Sequence, residues 1–487
     1  MEPRERTGGK HMDAYACRAP GGLKMEEFSG LGTFWLPEDT DSQLAGQLTF
    51  SHDEGVCLTV IGAFDGNQFG EPLPARRIVG VVDGKYIALE ECEPANSVLS
   101  GAGARKQEYR VQGMFIGHNF EHSSDLEFSS VNVWLDDLAA WIDDSPISVT
   151  NTFADEGRRS SSTEARFEIP LPRTADFDRG TVTLGFTGTT GGDRSVYRMR
   201  SRPYLKITLP NLAPWQELFN HVGRLQDLIT ICTDRSCGIR KLTFERDDIP
   251  ERALSGRSFG FPKEIEYRTG LLTPPRPEES PILEEHKMLL TMKGAGGLEF
   301  VASWLGSVPT FYPVLGSLMS TRYGRKLYVE NRYLNTVASA ESFHRLIHGG
   351  SRLDAEVFAE RSLRALFSMK DGEACEWLAG ILQHANEPSL GQRLRRLYKT
   401  VKPAVSSLIE DVGPWSMAVS GARNRLTHLE DMHGVEFNSG DLYWANSSDH
   451  GDTAVSTKSL NTSIGFSQFN VSRGLPFNSA ATLSSSS

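Results

Sequence analysis

No run of 18 or more apolar residues occurs anywhere in this chain of 487 residues, so no segment reads as a membrane-spanning helix. Cysteine is scarce and scattered: Cys17, Cys57, Cys92, Cys232, Cys237 and Cys375 show no paired zinc-site spacing. Cys232 and Cys237 are separated by four residues rather than two, and the six read as reduced, structural thiols. Residues Met1–Ala19 are charged and contain no apolar stretch, unlike a secretory signal, so the expected location is cytoplasmic. Positive charge is in deficit, with 51 Lys and Arg against 62 Asp and Glu and a formal net charge of −11. That sign disfavours broad, non-specific binding to nucleic acid but leaves room for a local basic pocket. Also missing are a Gly-rich phosphate loop ending in Lys-Ser/Thr and a Gly-x-Ser-x-Gly elbow. His344 and His348 have the i,i+4 spacing of zinc ligands, with Glu341 one turn earlier. No Glu follows His344 directly, so both read as exposed helix histidines. His118 and His122 share the spacing without an evident third ligand. No metal and no cofactor is expected.

What is present divides along the chain. Residues 1–27 are polar and without periodicity, and are expected to be disordered. Residues 28–250 alternate as half-buried strands do, with Leu48 and Phe50, or Leu58 and Val60, separated by polar or small residues. Trp134–Ile142 and Pro214–Cys232 read as helices within this β-rich domain, the second through Leu218, Val222, Leu225 and Ile229. Residues 251–281, ending in Thr-Pro-Pro-Arg-Pro-Glu-Glu-Ser-Pro, read as a semi-rigid linker. From 282 to 445 the period becomes helical. Candidate helices there are Glu284–Met292, Leu298–Leu305, Tyr328–Ile347, Leu353–Phe367, Ala374–Gln383, Leu390–Leu408 and Pro414–Met432. Residues 446–487 form a Ser-rich tail of expected disorder. The fold class expected is α+β multidomain: a β-rich N-terminal domain, sandwich- or barrel-like, followed by an all-α bundle.

The chemistry concentrates near the end of that bundle, in Gly421-Ala-Arg-Asn-Arg-Leu-Thr-His428. Histidine exchanges a proton near neutral pH, and arginine offers a fixed cationic fork to phosphate oxygens. Arg423 and His428 lie roughly 140° apart around an ideal helix, whereas Asn424 and His428 are an i,i+4 pair on one face. Asn424 can orient the imidazole while Arg423 must reach around. A site built from two copies of the helix about a two-fold axis relieves this, so the motif predicts a homodimer. An Arg and a His at such spacing form a loose pattern, repeated by Arg4, Arg6 and His11 in the polar N-terminus.

The segments Gly32-Thr-Phe-Trp-Leu-Pro37, Leu44-x-Gly46-x-Leu48, Leu58-x-Val60-x-Gly62, Gly117-His-Asn119 and Trp134–Trp141 resemble the N-terminal domain of ApeA-type proteins. The helical half resembles the HEPN domain that follows it in that family, through Tyr328–Glu341, Gln392–Tyr398 and Arg423-Asn-x-x-x-His428. The resemblance covers about residues 28–445. It implies an anti-phage, abortive-infection protein whose HEPN domain is a metal-independent, dimeric endoribonuclease. Arg423 and His428 would then be catalytic, and Asn424 the weaker match. RNA is the implied substrate, a phage-derived trigger the implied partner, and the β-rich half a sensor or restraint. Cleavage would leave a 2′,3′-cyclic phosphate and a 5′-hydroxyl. Supporting residues are Glu341 or Glu330, which could hold Arg423, and the basic stretch Arg393, Arg395, Arg396 and Lys399, either an RNA track or a solvated face. In the family the bundle continues past the signature, whereas here Gly440-Asp-Leu-Tyr-Trp444 begins such a pass and polar sequence follows. That departure motivates a second reading, a non-catalytic module binding nucleotide, RNA or a partner protein.

Overall fold

The computed structural model describes residues 27–428, except 65–73, 100–104, 121–125, 143, 155–158, 254, 279, 325–326, 407–408 and 410. The expectations placed on residues 1–26, His122, the 440–444 segment and the 446–487 tail therefore lie outside the described residues.

The first six strands close on themselves. They are β1 (Phe28–Leu36), β2 (Asp39–Ser51), β3 (Gly55–Ile61), β4 (Ala75–Val82), β5 (Lys85–Leu99) and β6 (Arg105–Ile116). Their order is β6-β3-β2-β1-β4-β5, with β5 returning to β6, so the barrel option of the sequence reading is the one realised. The alternating apolar residues supply its core: Phe34, Leu48, Phe50, Leu58 and Val60 are all buried. Where β1 passes against β4, a Cβ on Gly80 would stand 2.6 Å from the Thr33 carbonyl oxygen, so close strand approach requires glycine there. The buried Arg77 and Glu90 face each other across β4 and β5 as an ion pair.

Ten further strands follow: β7 (Glu127–Leu135), β8 (Ile147–Ala154), β9 (Arg159–Phe167), β10 (Arg173–Phe177), β11 (Gly180–Gly192), β12 (Tyr197–Pro214), β13 (Ile239–Glu245), β14 (Pro250–Arg252), β15 (Ser258–Pro262) and β16 (Ile265–Arg268). β16 pairs with β6 and carries the sheet outward in the order β16-β13-β7-β12-β11-β10, while β8–β9 and β14–β15 form separate ribbons. Two expectations are corrected here. The span read as the start of a linker supplies β15 and β16, with Ile265 and Tyr267 fully buried. Trp134 lies in β7 rather than in a helix, because this strand is covered on both faces and shows no alternation. Only α1 (Leu138–Ile142) is helical in that stretch. Helix α2 (Trp215–Thr233) packs its Leu218, Val222, Leu225 and Ile229 stripe against β7 and β12, as its spacing indicates.

The helical half begins with α3 (Met292–Ala295) and the 26-residue α4 (Leu298–Tyr323), which runs far beyond the expected end at Leu305. Its first turns pack on β10, β11 and α2, and it also packs on α5 (Val329–His348). Trp304 Nε1 donates to the Arg224 carbonyl at 2.8 Å, and the Tyr323 hydroxyl donates to Asp227 at 2.9 Å. One helix is thus shared by both halves. The hairpin α6 (Ala355–Phe367) and α7 (Gly372–Ala385) precedes α8 (Leu390–Val405) and α9 (Val412–His428). Among the described residues no helix is long and apolar enough to cross a membrane.

Candidate functional site

Local sequence sets where α8 and α9 start. Ser389 and Gln392 form a reciprocal capping box at the head of α8, and the Asp411 carboxylate accepts from the Gly413 amide at the head of α9. The two helices run antiparallel in close contact: Arg395 Nη1 donates to Ser416 Oγ at 2.8 Å, and a Cβ on Gly391 would lie 3.4 Å from Ser420 Oγ. Val419 is buried, and its carbonyl accepts from the Tyr333 hydroxyl of α5 at 2.8 Å. Because Ser420 already stands beside the first turn of α8, residues 423–428 continue past the start of that helix. Among the described residues, the signature therefore sits at one end of the bundle.

On this last stretch Ala422 and Leu426 pack against the core, while Arg423 is half-buried and Asn424 and Thr427 are exposed. Arg423 Nη1 donates to Asn424 Oδ1 at 3.3 Å. The Thr427 hydroxyl donates to the Arg423 carbonyl at 3.0 Å. Arg423 makes no ion pair among the described residues. The contact shown for Asn424 is thus with Arg423; the side chain of His428 lies outside the description, and only its backbone, at the end of α9, is placed.

The neighbouring candidates are arranged differently from their sequence reading. Arg393, read as part of a basic face, is only 1% exposed. Its Nε donates to the Pro388 carbonyl at 3.0 Å, its Nη1 faces His344 Nδ1 at 3.4 Å, and Glu341 and Glu387 stand at 3.7 and 3.6 Å. Arg393 therefore pins the head of α8 to the last turns of α5, and the ion pair that Glu341 makes is with Arg393 rather than with Arg423. Glu330 stands in the first turn of α5, at the other end of that helix. Of the basic stretch, Arg396 and Lys399 are exposed and Arg395 is committed to Ser416.

His344 is likewise buried, correcting its reading as an exposed helix histidine. Burial, then the cationic neighbours His348, Arg393 and Arg396, push its pKa down to about 4, so it is neutral near pH 7. With Nδ1 turned to a guanidinium, the proton sits on Nε2. Burial, followed by Arg396, also lowers the His348 pKa. The signal for both burials lay in the sequence. Tyr333, Val337, Ala340 and His344 fall on one helical stripe, as do Leu390, Arg393, Leu397 and Val401. Among the described residues no group of three or more His, Cys, Asp or Glu side chains gathers as a metal site. Cys57, Cys92, Cys232, Cys237 and Cys375 are free thiols.

Comparison with curated proteins and with solved structures finds no match for either. Comparison with protein families finds two matches, in the order of the two halves just described. Residues 30–304, more than half the chain, match ApeA N-terminal domain 1, ending inside the shared helix α4. Residues 334–448 match the Apea-like HEPN domain, which takes in α5 to α9 and the Arg423–His428 signature. With a six-stranded barrel in its N-terminal half and a helical HEPN domain after it, the chain belongs to the ApeA-like family.

Proposed function

We propose that the protein is a metal-independent endoribonuclease of HEPN type, acting in anti-phage defence, with the barrel-bearing half as sensor or regulator of the helical half. The observation that carries this reading is the end of α9, where Arg423 donates a hydrogen bond to its own neighbour Asn424 and, among the described residues, has no carboxylate to neutralise it. A cation left unpaired there serves a phosphate better than it serves the fold.

The chemistry follows from charge. As a neutral imidazole, His428 takes the proton of a ribose 2′-hydroxyl, and as an imidazolium it protonates the departing 5′-oxygen. Arg423 stabilises the added negative charge on phosphorus in the pentacoordinate transition state, where electrostatic help counts most. Asn424, bonded to Arg423, fixes the direction of the guanidinium. The products are a 2′,3′-cyclic phosphate and a 5′-hydroxyl. The five-residue step from Arg423 to His428 turns about 140° on the helix, so two copies of α9 across a homodimer supply one complete set of groups more readily than one copy does. Arg396, exposed near the head of α8, adds attraction for the RNA backbone.

The test compares purified parent protein with its Arg423→Ala and His428→Ala variants on RNA. Each variant is expected to lose about 10²–10³-fold in cleavage rate. Mixing the two inactive variants should restore part of the activity through composite sites. Cleavage by both variants at the parental rate would remove the proposed site. The second reading is a binding module without catalysis, and it gains from the contact between Arg423 and Asn424, which also suits a phosphate that is only held. RNA bound with parental affinity and left intact by the parent protein would favour it.

A further inference from the structure

The N-terminal half carries a charged surface that the ribonuclease reading does not use. Strand β12 pairs with β7 only from Leu205 onward, so its residues 197–204 project from the sheet with β11 as a two-stranded ribbon. Along one face of this ribbon stand Arg198, Arg200 and Arg202, at every second position. Met199, Ser201 and Pro203 turn the other way, and Pro203 is buried. Across from the three arginines lie Gly191, Thr189 and Thr187, all small and none acidic. Nothing on the partner strand overhangs the guanidinium groups or neutralises them.

Compensation at the ladder is thin. Arg198 is exposed and has no ion-pair partner among the described residues. Arg200 and Arg202 share one carboxylate, Glu278, at 3.4 and 3.3 Å. Burial, then repulsion from Arg200, lowers the Arg202 pKa, with Glu278 opposing and Arg240 adding to the crowding. Arg240 itself is paired with Asp136 at 2.7 Å. Among the described residues, three positive forks with one carboxylate between them are unexpected on a chain whose net charge is −11.

We infer that the Arg198–Arg200–Arg202 ladder is a binding site for the phosphate backbone of a nucleic-acid strand. Residues two apart on a strand stand roughly 7 Å apart, so the ladder presents its charge at a regular repeat along a straight line. A nucleic-acid strand is a polymer whose negative charge also repeats along its length. Arginine rather than lysine suits this task, because its planar fork takes two phosphate oxygens at once. The contacts would be to the backbone and so largely indifferent to base sequence. Glu278 belongs to the Pro-rich segment that leads toward the helical half, and it occupies the ladder where a phosphate would sit. A bound strand therefore competes with that segment for Arg200 and Arg202. The inference stands apart from the ribonuclease reading, since it concerns the other half of the chain.

The test measures binding of the full-length protein to a fluorescent 20-nucleotide oligo(dT), a probe without 2′-hydroxyls. The triple variant Arg198→Ala, Arg200→Ala, Arg202→Ala should bind at least about tenfold more weakly, with a salt dependence shallower by about two counterions for three lost single-strand contacts. Arg198→Glu alone, at a position without an ion-pair partner among the described residues, should weaken binding severalfold while leaving the circular dichroism and melting temperature unchanged. Glu278→Ala should tighten it, and Arg364→Ala, at an exposed arginine on α6, should leave it as it is. Parental affinity in both ladder variants, or no binding by the parent protein, would overturn the inference. So would competition by poly-glutamate as effective as that by unlabelled oligo(dT), which would point to an acidic protein instead.

Discussion

Two arginines in the helical half, Arg393 at the head of α8 and Arg423 near the end of α9, show how one residue type serves opposite ends. Arg393 is buried and held by a carbonyl, a histidine and two carboxylates. Arg423, half-buried, is held among the described residues by a neighbouring amide alone. Each has a histidine in its vicinity, His344 by contact and His428 by sequence. The first pair binds two helices together, and its histidine is kept neutral by burial. In the second, Arg423 is half-buried, with no carboxylate beside it among the described residues. An arginine whose donors are used up within the fold is a structural pin, and one left with its charge uncompensated is available for chemistry.

That contrast breaks most visibly on substitution. Replacing Arg393 with Ala removes a buried guanidinium from a carbonyl, a histidine and two part-exposed carboxylates and should cost about 2–3 kcal/mol in urea unfolding. Arg423→Ala should move stability by no more than about 0.5 kcal/mol, while its effect falls on RNA cleavage. Equal destabilisation by the two would erase the distinction. The triple ladder variant in the other half should match Arg423→Ala in leaving the fold intact, while its loss appears in binding.

A pH titration sharpens a second comparison, between His344 in the bundle and Asp227 on α2. Burial pushes the Asp227 pKa up to about 7, with the Tyr323 hydrogen bond opposing. Between about pH 4 and 6.5 the folded protein keeps Asp227 protonated, whereas the unfolded chain does not. Asp227 therefore contributes stability at low pH that is lost as pH rises toward 7. His344 runs the other way. It is neutral when folded above about pH 4 and protonated when unfolded below about 6.5, so its contribution is lost as pH falls. Each slope is at most about 1.4 kcal/mol per pH unit, and in the parent protein the two oppose each other. Relative to the parent, His344→Gln should shift the slope of stability with pH downward across this window, while His221, whose pKa burial also lowers to about 4, still opposes Asp227. Asp227→Asn should expose stability that rises with pH. Identical pH profiles for both variants and the parent would show that neither group is shifted as described. The smallest effect belongs to Arg396→Ala, which should leave stability within about 0.5 kcal/mol and weaken RNA binding only a few-fold.

The sequence made much of this legible and hid the rest for identifiable reasons. Leu48, Phe50, Leu58 and Val60 announced half-buried strands and are core residues of the barrel. Strand β7 was hidden because burial on both faces removes the two-residue alternation, leaving Trp134 to be read with the helix that follows. Helix α4 was underestimated because Pro309 and Pro313 signal a break. The helix continues past them, with Val314, Leu315, Leu318 and Met319 buried in the core. Tertiary packing outweighed the local penalty. Arg393 and His344 are polar residues on the apolar stripes of their helices, so polarity alone points to exposure where position dictates burial. The Arg423–Asn424 contact was not foreseen, since side chains one residue apart do not share a helix face.

The most direct measurement is the chemistry of the ends left on cut RNA, determined in the presence of a chelator with a matched DNA as control. Attack by a ribose 2′-hydroxyl, assisted by His428 and Arg423, predicts 2′,3′-cyclic phosphate and 5′-hydroxyl ends on the RNA and an intact DNA. Ends bearing a 3′-hydroxyl and a 5′-phosphate, or cleavage of the DNA, would contradict it.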